Sequence, residues 1–291
     1  MPRPPAVPGA DAAVQLGDAL QAVAEALPYL KAVTGEPPDL LRPRERVLDG
    51  RWFCCHELLG DRSWLEATIR STGDRLGAPS RAVAASLFVQ GYAYRALTVG
   101  LSSLLLGGVL PGSRPEEMAM ALSKGRPAFV AYRAPRALAF APRCRPGSAG
   151  AQGALSAFIN DAVEGHMRPL VYATLSCVRV GRRLLWGNVA ASAAVAFRTM
   201  EGLLGTGVKP LGEKFFAQAP AELQGLGNFA TVFHAGRSAW YWERRNCCLY
   251  DRLPGNVRCS DCPKTSPEER RAAYQEALEK AALGRPVRPG T

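Results

Sequence analysis

The feature that most constrains this chain is a run of cysteines near its C-terminus. Cys247, Cys248, Cys259 and Cys262 fall within sixteen residues, in the spacing Cys-Cys-x10-Cys-x2-Cys. Thiolates are soft ligands that suit iron–sulfur clusters, zinc and cuprous copper. A Cys-x2-Cys pair can turn back onto one metal, and Pro254-Gly255 between the two pairs is a turn signal. The segment 247–262 therefore predicts a metal centre in irregular chain.

The spacing by itself leaves two kinds of metal centre open. A structural zinc site usually uses two Cys-x2-Cys-type pairs, whereas the neighbouring side chains of Cys247 and Cys248 diverge and suit a larger two-iron cluster better. A disulfide pair requires an oxidising compartment, and the proline-rich start of the sequence is not a secretory signal. Zinc and iron–sulfur both remain at this point.

A family resemblance favours iron–sulfur. The segment 246–263, Asn-Cys-Cys-Leu-Tyr-Asp-Arg-Leu-Pro-Gly-Asn-Val-Arg-Cys-Ser-Asp-Cys-Pro, resembles the C-terminal motif of the FhuF-like ferric siderophore reductases. In that family these thiols carry one [2Fe–2S] cluster, so the resemblance implies Cys247, Cys248, Cys259 and Cys262 as its ligands. The stretch Leu185-Trp186-Gly187-Asn188 is also similar to the family.

The resemblance implies a cytoplasmic oxidoreductase. It would pass one electron to Fe(III) held in a siderophore and release Fe(II), without a catalytic acid, base or nucleophile. The sequence has no Gly-rich dinucleotide fingerprint, so the electron donor is expected to be a separate ferredoxin-like protein or flavoprotein. Two alternatives belong to other classes: a zinc-stabilised helical binding protein and an iron–sulfur regulatory sensor.

Candidate contacts to the ferric siderophore lie close to the cysteines in sequence. Arg237, Trp240 and Trp242 precede them directly, and Trp186 and Asn188 belong to the second similar stretch. Aromatic faces can hold the apolar part of a siderophore, and arginine can meet its oxygens. The alternative for 237–242 is a helix that packs its tryptophans into the core.

Four arginines surround the expected ligands: Arg244, Arg245, Arg252 and Arg258. Their positive charge would favour the more negative, reduced form of a cluster and raise its reduction potential. The alternative is that these side chains are simply solvated.

Charge and hydropathy exclude two classes of partner. The net charge is +11, but no run of five or more basic residues exists, so a nucleic-acid-binding tail is not expected. The most apolar stretch, residues 83–110, contains Arg95 and is interpreted as a buried helix rather than a membrane span. Eight cysteines without a secretory signal predict reduced thiols and a cytoplasmic location.

The remaining cysteines and histidines are interpreted as structural. Cys54 and Cys55 form a second adjacent pair beside His56, but nothing nearby in sequence completes a metal site, so core packing is expected. Cys144 and Cys177 are taken as ordinary thiols, and their roles, like those of Cys54 and Cys55, are left open. His166 and His234 are expected to be hydrogen-bonded structural residues.

The fold is predicted to be mainly α, with a small β hairpin and an irregular C-terminal iron–sulfur segment. Apolar periodicity and caps predict several helices, among them 61–76, 81–106, 181–204 and 266–282. Two aromatic runs, 128–132 and 136–140, predict the hairpin. Residues 1–10 are expected to be a disordered leader, residues 11–145 an N-terminal half, and residues 146–291 a C-terminal half that carries the metal centre.

Overall fold

The structure is a computed structural model that describes most of the chain. The described residues are 9–43, 45–46, 49–133, 137–139, 149–205, 207–234 and 236–282. Most of the expected leader, Cys144 and the expected boundary between the two halves lie outside these ranges.

The architecture is mainly α-helical, as the sequence predicted. The α-helices are α1 (Gly9–Ala26), α2 (Cys55–Gly60), α3 (Arg62–Leu76), α4 (Arg81–Gly107), α5 (Ala149–Phe158), α6 (Arg168–Cys177), α7 (Arg182–Leu204), α8 (Val208–Gln218) and α9 (Pro267–Ala282). A π-helix, Ile159–Met167, joins α5 to α6, and short 3₁₀ turns occupy Pro115–Glu117, Ala221–Leu223 and Tyr250–Arg252.

Polar residues at the expected places begin several helices. The Asp61 carboxylate accepts from the Trp64 backbone N–H at 3.0 Å and caps α3. The Ser80 hydroxyl does the same for Val83 and caps α4. Ser266 and Glu269 form a reciprocal capping box at the start of α9, with bonds of 2.9 and 3.1 Å. These three helix starts confirm the sequence prediction.

Helices α4 and α7 form the centre of the fold, and most of their apolar side chains are buried. Asn188 bonds to Ser86, and Ser192, one turn later in α7, bonds to Gln90, one turn later in α4. The two helices therefore run parallel. Parallel neighbours cannot be joined by a short turn. The long connection between them, residues 108–181, carries α5, the π-helix, α6 and several strands.

Strands are more numerous than the sequence indicated. They are β1 (Lys31–Thr34), β2 (Trp52–Cys54), β3 (Val109–Pro111), β4 (Met118–Ser123), β5 (Arg126–Tyr132), β6 (Ala137–Ala139), β7 (Gly227–His234) and β8 (Arg237–Arg244). Four of them form a sheet in the order β1-β5-β4-β2, in which β1 pairs with β5 in parallel and the other pairs are antiparallel. Strands β3 and β6 form a second small sheet.

The predicted hairpin between 128–132 and 136–140 is wrong. Strand β5 pairs with β4 and β1, while β6 pairs with β3. Both strands were found, but β5 forms a hairpin with the preceding strand β4 through the turn Lys124-Gly125, and β6 pairs with β3. Adjacent strands pair only when their connection allows it, and the apolar pattern of a strand does not say which edge it joins.

The hairpin that positions the cysteines is β7–β8, and the sequence did not predict it. Its register pairs Phe229 with Trp242 and Thr231 with Trp240. Trp240, Trp242 and Arg244 alternate along β8 toward the interior, and all three are buried. The helix considered for residues 237–242 is therefore wrong, although the tryptophans do pack into the core.

The proposed division into two halves stays a prediction. Helix α4 from the expected N-terminal half packs against α7 from the expected C-terminal half, and both contribute to one hydrophobic core. Helix α1 begins at Gly9, inside the expected leader. No helix in the described ranges is both long and apolar enough to cross a membrane.

His166 lies in the π-helix and is completely buried. Its Nδ1 lies 2.7 Å from the Ser113 carbonyl oxygen, so Nδ1–H donates there and Nε2 accepts from the Tyr92 hydroxyl, also at 2.7 Å. Burial lowers the pKa of His166 from 6.5 to about 4, against the smaller opposing effect of the Ser113 bond. His166 is thus a hydrogen-bonded structural residue, as the sequence predicted.

The burial of neutral His166 predicts a specific dependence of stability on pH. Its folded pKa of about 4 lies below the value of 6.5 expected for an exposed imidazole, so between these values the unfolded chain binds the extra proton. The free energy of unfolding should therefore fall as pH drops from about 6.5 to 4, by at most about 3 kcal/mol from this group. Urea titrations of wild type and His166→Gln across this range measure it, and equal slopes for the two proteins would contradict it.

Candidate metal centre

All four cysteines of the motif lie in the loop between β8 and α9. Cys247 and Cys248 follow the end of β8 by three and four residues, and the 3₁₀ turn Tyr250–Arg252 comes next. Leu249 adopts a left-handed backbone, with φ of 65°, and turns the chain after the adjacent pair. Cys259 and Cys262 form a turn closed by a 3.0 Å bond from the Cys262 N–H to the Cys259 carbonyl.

The structure brings Cys248 and Cys259, one thiol from each pair, into direct interaction. The hydrogen bond from Cys259, together with the positive charge of Arg244, lowers the pKa of Cys248 to about 6, against the opposing effect of burial. The same bond raises the pKa of Cys259. The pairing therefore favours the thiolate form at Cys248, and the thiolate is the form of cysteine that binds metals.

The other two thiols are not gathered at the same point. The Cys247 thiol donates to an Asp251 carboxylate oxygen at 3.6 Å and accepts from the Leu249 N–H at 3.3 Å. Cys262 is buried, with 3% of its surface exposed. Across the described ranges, no group of three or more Cys, His, Asp or Glu is close enough to hold a metal ion. Four thiols are the donor atoms that an iron–sulfur cluster requires. In this structure only Cys248 and Cys259 of the four are in direct interaction.

A buried polar network holds the adjacent cysteine pair against the two central helices. The Ser86 hydroxyl of α4 donates to the Cys248 carbonyl at 2.6 Å, and the Asn188 amide of α7 donates to Ser86 at 2.9 Å. Arg244 donates to the Asn188 side-chain oxygen at 2.9 Å and to the Asn246 carbonyl at 3.0 Å. Ser86 and Asn188 are completely buried, and Arg244 is 3% exposed. The network therefore fixes the backbone of the cysteine pair from both helices.

Gly187 lies in the stretch 185–188, and the structure shows why this position is a glycine. A Cβ atom at this position would lie 1.8 Å from the Asn246 side-chain nitrogen. Asn246, which directly precedes the cysteine pair, donates to the Leu184 carbonyl at 3.3 Å. Only glycine lets the loop approach α7 this closely.

A small apolar cluster anchors the middle of the loop. Val83, Leu87 and Leu253 are buried together, and Leu249 and Tyr250 pack against them. Pro254 lies against Gly77, the left-handed C-cap of α3. The loop therefore rests on the corner between α3 and α4.

Helix α9 holds the second cysteine pair. The Tyr274 hydroxyl donates to Asp261, which lies between Cys259 and Cys262. Tyr274 also accepts from Arg198 of α7 at 2.9 Å and stacks on Tyr241 at 4.1 Å. Burial raises the pKa of Asp261, while the charges of Arg198, Arg244 and Arg270 oppose this effect.

The five predicted siderophore-contact residues lie in different environments. Arg237 is exposed at the start of β8, whereas Trp186, Asn188, Trp240 and Trp242 are each at most 4% exposed. Trp242 stacks on Phe216 at 4.5 Å, and Trp240 meets Phe229 edge to face at 4.7 Å. Their role in binding a siderophore stays a prediction, and contact with the four buried ones would require the surface to open.

The arginines around the cysteines divide into two kinds. Arg244 is buried in the network, whereas Arg245, Arg252 and Arg258 are exposed. Only Arg244 therefore acts on the thiols at short range without screening by water.

The cysteines outside the motif have structural surroundings. Cys54 and Cys55 are buried, which confirms the interpretation as core residues. Cys54 accepts from Arg133 at 2.9 Å, and Cys55 interacts with the Tyr92 hydroxyl. His56 is exposed and pairs with Glu116 at 3.3 Å. Cys177 donates to carbonyls within α6.

Sequence reasoning missed Ser86, Asp261 and Tyr274 as support for the loop. Ser86 lies 162 residues before Cys248, and no local pattern links the two. One available signal was its position as a polar residue in an otherwise apolar stretch, since a buried hydroxyl needs a partner.

The comparisons with known proteins agree with the position of this site. Residues 244–264 match the family model described as the FhuF 2Fe-2S C-terminal domain, which confirms the resemblance predicted from the cysteine motif. A search of curated protein sequences finds no significant match.

Two solved structures share partial similarity of shape. Aerobactin synthetase IucA from a hypervirulent pathotype of Klebsiella pneumoniae matches with 13% identity and a TM-score of 0.41, over 69% of this chain and 35% of that one. Its ATP-bound form matches with 11% identity and a TM-score of 0.47, over 83% of this chain and 49% of that one. The chain thus spans less than half the length of each synthetase.

Because Asn246 lies so close to Gly187, a side chain at position 187 is expected to lower the stability of the folded protein. Gly187→Ala should lower the free energy of unfolding by about 1–3 kcal/mol, because the new methyl group displaces Asn246 and the loop. Gly202→Ala in the same helix meets nothing within 4 Å and should be neutral or stabilising. Urea titration measures both, and equal effects of the two substitutions would contradict the packing described.

Proposed function

We propose that this protein is a ferric-siderophore reductase that holds one [2Fe–2S] cluster through Cys247, Cys248, Cys259 and Cys262. The observation that carries this proposal is the match of residues 244–264 to the FhuF 2Fe-2S C-terminal domain. The free state of all seven cysteines in the described ranges supports it, because none is consumed in a disulfide.

The residues around the thiols suit a negatively charged metal centre. Cys259 and Arg244 lower the pKa of the Cys248 thiol and so stabilise its thiolate. Arg244 is held in place by Asn188 and by the Asn246 carbonyl, so its charge faces the site in a fixed position. When bound, a cluster of this type supplies transfer of one electron at a time.

The substrate in this proposal is Fe(III) held by the hard oxygen atoms of a siderophore. One electron converts it to Fe(II), which carries less charge and binds such oxygens more weakly, so the metal leaves the chelate. The protein loses the electron that the iron gains. No general acid, general base or nucleophile is required, and the proposed electron donor is a separate ferredoxin-like protein or flavoprotein.

Cysteine substitution tests the ligand set. Cys259→Ser should lose most of the iron and sulfide bound per chain and the one-electron reduction of ferric siderophores. Cys54→Ala should retain both, because Cys54 lies in the core beside Arg133. Iron analysis, visible absorption and electron paramagnetic resonance of the dithionite-reduced protein measure the outcome.

Two results would contradict the proposal. One is a colourless wild-type protein that carries stoichiometric zinc, which would favour the zinc-stabilised binding protein. The other is loss of iron in Cys54→Ala with retention in Cys259→Ser. A labile cluster without chelate reduction would instead favour an iron–sulfur sensor.

The buried charge of Arg244 predicts a shift in reduction potential. Arg244→Gln should lower the midpoint potential by tens of millivolts, because the reduced site then loses a nearby positive charge. Arg245→Gln should change it less, because Arg245 is exposed and screened by water. Redox titration followed by electron paramagnetic resonance measures both potentials, and an equal shift in the two variants would exclude a special role for Arg244.

A further inference from the structure

The loop between the two cysteine pairs presents unneutralised positive charge to solvent. Arg252 and Arg258 are exposed, and Arg126 from β5 lies over the Tyr250 ring at 5.6 Å. Val257 stands between the two loop arginines in sequence and is 76% exposed. We call Arg126, Arg252, Val257 and Arg258 the basic loop face.

The nearby carboxylates do not cancel this charge. Asp251 pairs with Lys264 at 2.6 Å, and Asp261 accepts from Tyr274 on the side of α9. Arg258 donates to the uncharged Lys264 carbonyl at 3.0 Å. Its charge also acts on Glu269, whose carboxylate accepts from the Ser266 N–H. Within the described residues, none of the three arginines of the basic loop face forms an ion pair with a carboxylate, so their charge is available to a partner.

The face lies beside the more accessible thiols. Cys247 and Cys259 are partly exposed, whereas Cys248 and Cys262 are buried. The Cys247 thiol contacts Asp251, whose partner Lys264 lies against Arg258. A molecule seated on the basic loop face would therefore approach the proposed metal centre from its least covered side.

The shape of the face suits a protein better than a small chelate. Small ligands bind in concave sites, whereas Val257 and the loop arginines Arg252 and Arg258 are exposed to solvent. An exposed apolar residue together with exposed charged ones is the usual composition of a transient protein interface, in which the charges steer the encounter.

We propose that the basic loop face is the docking surface for an acidic one-electron carrier protein that reduces this protein. The carrier is oxidised by one electron and this protein is reduced by one electron, with no group transferred. This inference rests on the proposed function, since it assigns the surface through which the reductase receives its electron.

Charge reversal on the loop tests the surface. The probe is a reduced, acidic plant-type ferredoxin, and stopped-flow absorption follows electron transfer to the iron-loaded protein. Arg252→Glu/Arg258→Glu should slow this transfer about tenfold or more at low ionic strength and remove most of its dependence on salt. Arg252→Gln/Arg258→Gln should give an intermediate rate.

A matched control separates the surface from net charge. Arg62→Glu/Arg179→Glu makes the same change in charge at two exposed positions. Arg62 begins α3, whose other end meets the loop at Gly77 and Pro254, so it lies roughly 20 Å away along that helix. This variant should accept electrons from ferredoxin at nearly the wild-type rate.

Three results would overturn the inference: equal rates for the loop variant and the wild type, equal slowing in both double variants, or no reduction of the wild type by ferredoxin. Slower reduction of a ferric siderophore by the dithionite-reduced loop variant, with normal ferredoxin oxidation, would assign the face to the chelate instead. Iron content and chelate reduction by the dithionite-reduced wild type report on the proposed function separately, so failure of one remains distinguishable from failure of the other.

Discussion

The hydrogen bonds that join Ser86, Asn188 and Arg244 to the backbone of the cysteine pair are the contacts on which the candidate site depends. They lie in the buried contact between α4 and α7, where an unpaired polar group would be costly. Ser86, Asn188 and Arg244 each form a hydrogen bond with another member or with the loop backbone, so the loss of one side chain leaves several buried polar groups without partners. These bonds attach the cysteine loop between β8 and α9 to the central helices α4 and α7.

The same contacts give the site its charge balance. Arg244 supports the loop and also stabilises negative charge at Cys248. The exposed arginines act differently, because water screens them from the thiols while leaving them available to an approaching molecule. The sequence shows only a cluster of arginines near the cysteines. In the structure the buried Arg244 acts on the thiols, whereas the exposed arginines face solvent.

Local signals in the sequence were sufficient for most of the longer helices and for the cysteine motif. Asp61, Ser80 and Ser266 marked helix starts correctly because capping depends on residues within one turn. The local hairpins β4–β5 and β7–β8 were missed, the second because its tryptophans suit a buried helix equally well. The pairing of β1 with β5 was not predictable, since it joins residues almost a hundred positions apart. The support for the loop was hidden for the same reason: Ser86 and Tyr274 meet it only after the chain has folded.

The cysteine loop keeps its contacts only in one register of α4 against α7, because both helices bond to it or to each other at matching turns. Ser86 with Asn188, and Gln90 with Ser192, match turn for turn. A slip of α7 by a single turn, about 5.4 Å, would part both pairs and carry Gly187 away from Asn246. Any change that displaces these two helices along each other would therefore also break the hydrogen bonds that hold the backbone of the cysteine pair.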